Sequence, residues 1–220
     1  MKKLLSTVCI ISMIFLLSAC GSQRTADDQT GGASASQPSS AQNSAAIQQP
    51  ETKEDETNIL VAYFSATGNT KALAEFAADA VHADIYEIVP ETPYTDEDLD
   101  YGNDQSRTSL EMNDSHARPA ISGSVENMEQ YDILLLGYPI WWGQAPRIIS
   151  TFLESYDFSG KTIVPFCTSG SSDIGSSAQN LHALTDPATT WLDGARLRSN
   201  AAHGDIAQWI NSLNLGITAE

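Results

Sequence analysis

An apolar run, Ile59-Leu60-Val61-Ala62-Tyr63-Phe64, ends in Ser65-Ala66-Thr67-Gly68-Asn69-Thr70, and a helix-patterned run from Lys71 to Val81 follows at once. A chain that passes from strand to helix through six small and polar residues is committed to a strand–turn–helix unit, the repeating piece of parallel α/β sheets. The turn also has the makings of a phosphate cradle. Its backbone N–H groups converge, the helix N-terminus carries about half a positive charge, and the hydroxyls of Ser65, Thr67 and Thr70 add donors. It holds no Lys or Arg, and it matches neither G-x-x-x-x-G-K-[ST] nor G-x-G-x-x-G. Neutral donors suit a bound cofactor monophosphate better than a phosphoryl group in transfer. Taken alone, the same residues also read as a Ser/Thr-rich helix cap with no ligand.

Downstream, strand-like and helix-like runs alternate. Strands are expected at about 58–64, Asp84–Val89, Asp132–Tyr138, Thr162–Cys167 and, shorter, Thr190–Leu197. Helices are expected at about 70–82, with Leu73, Phe76, Ala77 and Ala80 on one face, at Arg147–Tyr156 just after Pro146, near Gly175–Leu184, and at Ala202–Leu213. Asp132-Ile-Leu-Leu-Leu-Gly137-Tyr138 is almost continuously apolar, as a strand covered on both faces should be. The alternation implies α/β architecture: a doubly wound, five-stranded parallel sheet of order 2-1-3-4-5 with helices on both faces. Ligands of such sheets sit outside the carboxyl ends of the strands, near the switch point between strands 1 and 3.

The loops after strands 3 and 4 are also unusual. The first reads Tyr138-Pro139-Ile140-Trp141-Trp142-Gly143-Gln144-Ala145-Pro146. Its two Trp can form a flat wall for an aromatic ligand; alternatively, one indole packs inward while the other covers a helix. The second, Thr168-Ser169-Gly170-Ser171-Ser172-Asp173, is small enough to let backbone N–H groups approach a polar ring edge, or is a plain Gly/Ser turn. Phosphate on the first loop, ring faces on the second and ring edge on the third describe a mononucleotide with a planar, polar-edged ring. FMN fits best.

With those residues in view, the chain resembles the flavodoxin family. Ser65-Ala66-Thr67-Gly68-Asn69-Thr70 matches the family's (S/T)-x-T-G-x-T phosphate loop at every fixed position. Gly137-Tyr-Pro-Ile-Trp-Trp-Gly143 and Cys167-Thr-Ser-Gly-Ser-Ser172 look like flavodoxin-like proteins found as single domains or lipoproteins in anaerobic bacteria. The likeness spans about 58–215 and includes Ser106-Arg107 and Ala117-Arg118-Pro119. It implies a flavodoxin-like fold and an FMN cofactor. Ser65, Thr67, Gly68, Asn69 and Thr70 would contact the phosphate; Pro139, Ile140, Trp141, Trp142 and Gly143 would line the isoalloxazine; Thr168, Ser169, Gly170 and Ser171 would meet its pyrimidine edge. No residue is assigned a catalytic role. Two departures stand out. The third loop lacks the Tyr that many flavodoxins stack on the ring, and Asp173 stands where members of this subgroup often have Gly.

The implied function is electron transfer to redox partner proteins or small-molecule acceptors. The alternative is an NAD(P)H-dependent FMN oxidoreductase, since the Trp-Trp loop also resembles one in flavodoxin-fold quinone reductases.

The first 57 residues follow a different logic. Lys2 and Lys3, an apolar stretch from Leu4 to Leu17, and Leu17-Ser18-Ala19-Cys20 read as a signal peptide over 1–19 that resembles a lipoprotein signal, with Cys20 as the lipidated residue. The stretch is short for a membrane span, which takes about 20 residues, although an uncleaved anchor is the other reading. From 20 to 57 the chain is Ser, Ala, Gln, Gly and Thr with hardly an apolar side chain, a composition that cannot bury enough surface to fold. It is expected to be a tether of roughly 30–35 Å reach, by about 5–6 Å times the square root of its length. The domain at 58–220 would then stand outside the cytoplasm, lipid-anchored to the bacterial membrane and touching it only through the anchor.

A formal charge of −17, from 11 basic and 28 acidic residues, argues against nucleic acid as a partner. Cys167 alone remains in the domain, so no internal disulfide is expected, and His82, His116, His182 and His203 lack ligand spacing, so no metal is either.

Overall fold

The structure, a computed structural model, describes residues 57–220. The expected signal peptide, Cys20 and all but the last residue of the expected tether lie outside the described residues. Among the described residues no helix is long and apolar enough to cross a membrane.

β1 (Ile59–Tyr63) is buried along its whole length and leads into α1 (Asn69–Ala80). β2 (Asp84–Glu87), β3 (Val89–Pro90), α2 (Arg107–Asn113) and β4 (Ile121–Ser122) follow, then β5 (Ile133–Pro139), α3 (Arg147–Glu154), β6 (Thr162–Thr168), β7 (Thr190–Trp191), β8 (Ala195–Arg196) and α4 (His203–Ser212). The main sheet runs β2-β1-β5-β6-β7, every pair parallel, which is the doubly wound order expected. β3 and β4 form a separate antiparallel pair inside the long segment after β2.

Strand alternation divides the core into two layers. Ile59, Val61 and Tyr63 of β1, with Ile133 and Leu135 of β5, face α1 and α4 through Leu73, Ala77, Ile206 and Ile210. Leu60 and Ala62, with Leu134, Leu136 and Tyr138, face α3 through Ile148, Ile149 and Phe152. Continuous apolar strands are therefore explained by helices on both sides.

The last strand differs from the expected Thr190–Leu197 run: it is two short pieces, β7 and β8, each parallel to β6. Pro165 is the reason. The edge pieces bond to the carbonyls of Lys161, Ile163 and Cys167, so the odd-numbered residues of β6 face the edge. Pro165 shares that parity, and the ladder loses its donor there. Gly194 fills the break, where an added Cβ would sit 2.7 Å from the Pro165 carbonyl oxygen and 2.4 Å from Ile174 Cδ1. The run near Gly175–Leu184 is likewise shorter than expected, a 3₁₀ helix over Gln179–Leu184. The second strand ends at Glu87, and the final helix spans His203–Ser212.

The long segment from Pro90 to Gln130 is tied down by polar contacts. Arg147 donates to the carbonyls of Glu111 and Met112 at the end of α2. Arg118 grips Glu154 at the end of α3 with two bonds of 2.7 Å. That bidentate pair holds the Glu154 carboxyl below its ordinary range. Because the folded pKa is depressed, the pair contributes stability above the unfolded value of about 4.3 and loses it as pH falls through the folded one. The side chains are 30% and 40% exposed, so solvent screening limits the gain to about 1 kcal/mol or less. Urea unfolding at pH 7 and pH 3.5 should therefore show a smaller acid-induced loss in Glu154→Gln than in the wild type. An equal loss in both proteins would remove this pair from the account of acid sensitivity.

Candidate functional site

The carboxyl ends of β1, β5 and β6 converge on a cavity of about 310 Å³, near the lower end of the roughly 300–1,000 Å³ common for small-molecule sites. Thr67 and Asn69 line it from the first loop, Pro139, Ile140 and Trp141 from the second, and Thr168, Ser169 and Gly170 from the third. Wider hollows of about 820 and 570 Å³ lie at the amino ends of β1 and β2 and along the β2 edge, away from these loops.

The first loop has a donor surplus. Gly68 adopts φ 83°, a left-handed conformation that favours Gly, and its carbonyl accepts from Ala72 as α1 begins. Among the described residues, the N–H groups of Ser65 to Lys71 find no protein acceptor. The Ser65 hydroxyl oxygen is buried and has no partner either. Buried polar atoms are normally bonded, and the loop leads into a helix N-terminus that favours negative charge, so these free donors can take an anion. The Asn69 amide donates to the Thr67 hydroxyl oxygen at 3.0 Å, which leaves the Thr67 O–H free to donate outward. Thr70, 1% exposed, sits outside the cavity lining, its hydroxyl 2.8 Å from that of Thr168. This bond ties the first loop to the third.

In the second loop the adjacent indoles diverge. Trp141 and Gln144 exchange backbone bonds of 2.9 Å, and Trp142 and Gly143 between them have φ 47° and 75°. Two left-handed residues in a two-residue turn make a type I′ geometry, in which a bulky Trp is strained. Trp141 turns inward, edge-on to Phe64 and Tyr94 at ring-centroid distances of 5.5 and 5.3 Å, while still presenting an edge to the cavity. Trp142 turns outward against Tyr101 at 4.5 Å, and it stands outside the lining with Gly143.

The third loop is held from behind. Ser169 donates from its hydroxyl to the Ser172 carbonyl, and the Arg196 guanidinium reaches the carbonyls of Ser169, Gly170 and Ser171. Ser171 itself stays outside the lining. The Cys167 thiol, fully enclosed at the end of β6, is pushed up to about 12 by burial and stays protonated. Tyr138 is raised for the same reason, its hydroxyl 3.2 Å from that of Ser177.

Ala66, Leu99, Tyr101 and Ser199 complete the lining, and sequence reasoning missed Leu99 and Ser199. Tyr94 donates to Glu111 at 2.6 Å, and Arg107 lies 4.0 Å over its ring while pairing with Glu111. Both support Trp141 from outside the cavity. His182 stacks on Trp191, and His203 lies 3.1 Å from Asp79 on α1, so neither belongs to the site.

Residues 58–213 match the family model for flavodoxin. The structure is similar to that of a candidate flavoprotein from Bacteroides eggerthii, 48% identical over 73% of this chain and 99% of that one, with a TM-score of 0.68. A second, from Bacteroides uniformis, is 46% identical over 70% of this chain and 98% of its own, with a TM-score of 0.67. A Lactobacillus acidophilus flavoprotein in complex with FMN is 20% identical, over 70% of this chain and 99% of its own, with a TM-score of 0.49. No curated protein matches the chain. From the first loop's fixed residues, the strand order and a family match that spans most of the sequence, this chain belongs to the flavodoxin family.

Proposed function

We propose that the domain binds FMN at the three strand-end loops and serves as an electron-transfer flavodoxin that exchanges electrons with partner proteins or small acceptors. The observation that carries this reading is the orphaned Ser65 hydroxyl beside a run of free N–H groups, next to a cavity walled by Trp141 and rimmed by the third loop. FMN would supply one- and two-electron chemistry without a protein acid or base. Ser65, Thr67, Gly68, Asn69 and Thr70 would hold its phosphate. Pro139, Ile140 and Trp141 would pack on the ring, Trp142 and Gly143 shaping the loop that presents them. Thr168, Ser169, Gly170 and Ser171 would orient the ring edge.

Ser65→Ala tests the cradle directly. A hydroxyl that donates to a charged phosphate contributes about 1.5–3 kcal/mol, so the FMN dissociation constant should rise roughly 10- to 100-fold. The apo protein should melt no lower than the wild type, because its buried hydroxyl has no partner to lose. A wild-type protein that quenches no FMN fluorescence at micromolar concentration would end the proposal.

We also propose that residues 1–19 direct export and that Cys20 carries the lipid, with 20–57 spacing the acidic domain from the membrane. Cys20→Ser should move the protein from the membrane fraction to the soluble one and abolish labelling by radioactive palmitate. Unchanged fractionation with no label in either form would refute the anchor.

A further inference from the structure

Arg196 stands at the end of β8, register partner of Cys167, with the next residue, Leu197, donating its N–H to the Cys167 carbonyl at 2.8 Å. From there its guanidinium reaches the carbonyls of Ser169 and Gly170 at 3.2 Å and of Ser171 at 3.4 Å. Its Nε is buried and has no acceptor, while Nη1 and Nη2 both donate to this loop. The Ser172 carbonyl is taken by the Ser169 hydroxyl. Four successive carbonyls are thus engaged within the protein, while the N–H groups of Ser169, Gly170 and Ser171 have no protein acceptor among the described residues. Ser169 and Gly170 line the cavity with their N–H groups unpaired, and a half-buried positive charge holds the carbonyls of the same loop.

The neighbouring charge of opposite sign is Asp173, which is exposed. Both are felt at the Cys167 thiol, Arg196 lowering its pKa and Asp173 raising it. Solvent screens an exposed carboxylate more than a half-buried guanidinium, so the positive sign prevails at the loop. Charge beside the pyrimidine edge of a flavin is one of the ways a protein tunes it.

We propose that Arg196 is a positioning residue for the cofactor: it orders Ser169–Ser171 as a rim of donors and sets a positive charge there that favours the reduced, negatively charged form of FMN. The inference rests on the FMN reading above.

The test uses wild type, Arg196→Gln and Arg196→Lys. FMN dissociation constants come from fluorescence quenching, and two-electron midpoint potentials from anaerobic dithionite titration against a reference dye. Arg196→Gln should weaken binding of the reduced cofactor about tenfold more than that of the oxidised one, a fall of about 30 mV in the midpoint. Arg196→Lys keeps the charge and cannot bridge three carbonyls, so its midpoint should stay near wild type. In the apo proteins, NMR order parameters of Ser169–Ser171 should fall below about 0.6 in both variants while wild type stays nearer 0.85. Equal midpoints in wild type and Arg196→Gln overturn the charge role, and unchanged order parameters overturn the positioning role. A wild type that binds no FMN sinks the flavin reading and the charge role with it, and the apo measurement still decides the positioning role.

Discussion

Thr67→Asp should raise the FMN dissociation constant by about 100-fold or more, the loss of at least about 2.7 kcal/mol of binding. Thr67 lines the cavity, and its hydroxyl oxygen already accepts from the Asn69 amide at 3.0 Å. A carboxylate oxygen can still accept from the Asn69 amide. What changes is the sign of the group that meets the phosphate. Unit charges 4 Å apart repel by about 4 kcal/mol at an effective dielectric of 20, and a phosphate monoester carries up to two negative charges. Partial exposure of the site lowers this figure but leaves it large. Thr67→Val is the control: it removes one donor without adding charge and should weaken binding only about 10-fold. Isothermal titration at two salt concentrations separates the two effects, since only the Asp variant should recover affinity as screening increases. Equal affinities for Thr67→Asp and wild type would place the phosphate somewhere else.

The largest loss of stability is expected where β5 meets β6. Gly137 pairs with Phe166, and a Cβ built on Gly137 would lie 2.4 Å from the ring's Cζ and 2.7 Å from Cε2. The ring is itself fully buried and meets Trp209 of α4 edge-on at 5.8 Å. Phe166→Ala should cost about 3–5 kcal/mol, because it empties a site that the surrounding strands and helix cannot collapse into. Gly137→Ala should cost about 1–3 kcal/mol by overpacking against the same ring. The two changes share one volume, so the double variant should be more stable than the sum of the single losses predicts, by about 1 kcal/mol or more. Urea unfolding of all four proteins measures that coupling, and strict additivity would show that the ring moves aside without strain.

Much of this was legible in the chain because it is local. Ile59–Thr70 states the strand, turn and helix in consecutive residues, and the loops after β5 and β6 announce themselves by composition. Alternation points to a parallel α/β sheet, and five such strands suit the order 2-1-3-4-5. Other features depend on register. Pro165 was visible in the sequence, but only the parity of the β6 carbonyls shows that its missing donor faces the outer strand. The two Trp could not be told apart before the backbone was known. Their opposite fates come from the positive φ of Trp142, which turns one indole into the core and the other outward. Leu99, Tyr101, Ser199 and Arg196 reach the site from segments with no local signature. They arrive because the segment between β3 and α2 folds over the strand ends and because β8 pairs with the last residues of β6.

The break in the outer strand has a consequence for how copies of the protein behave together. An open sheet has two flanks whose unpaired backbone groups can template a strand from another molecule. Here β2 forms one flank with only four residues, Asp84 to Glu87. On the other flank, Pro165 and Gly194 limit any continuous stretch to two residues, β7 or β8. Neither flank offers a ladder long enough to extend, so the doubly wound sheet resists edge-to-edge aggregation without closing into a barrel.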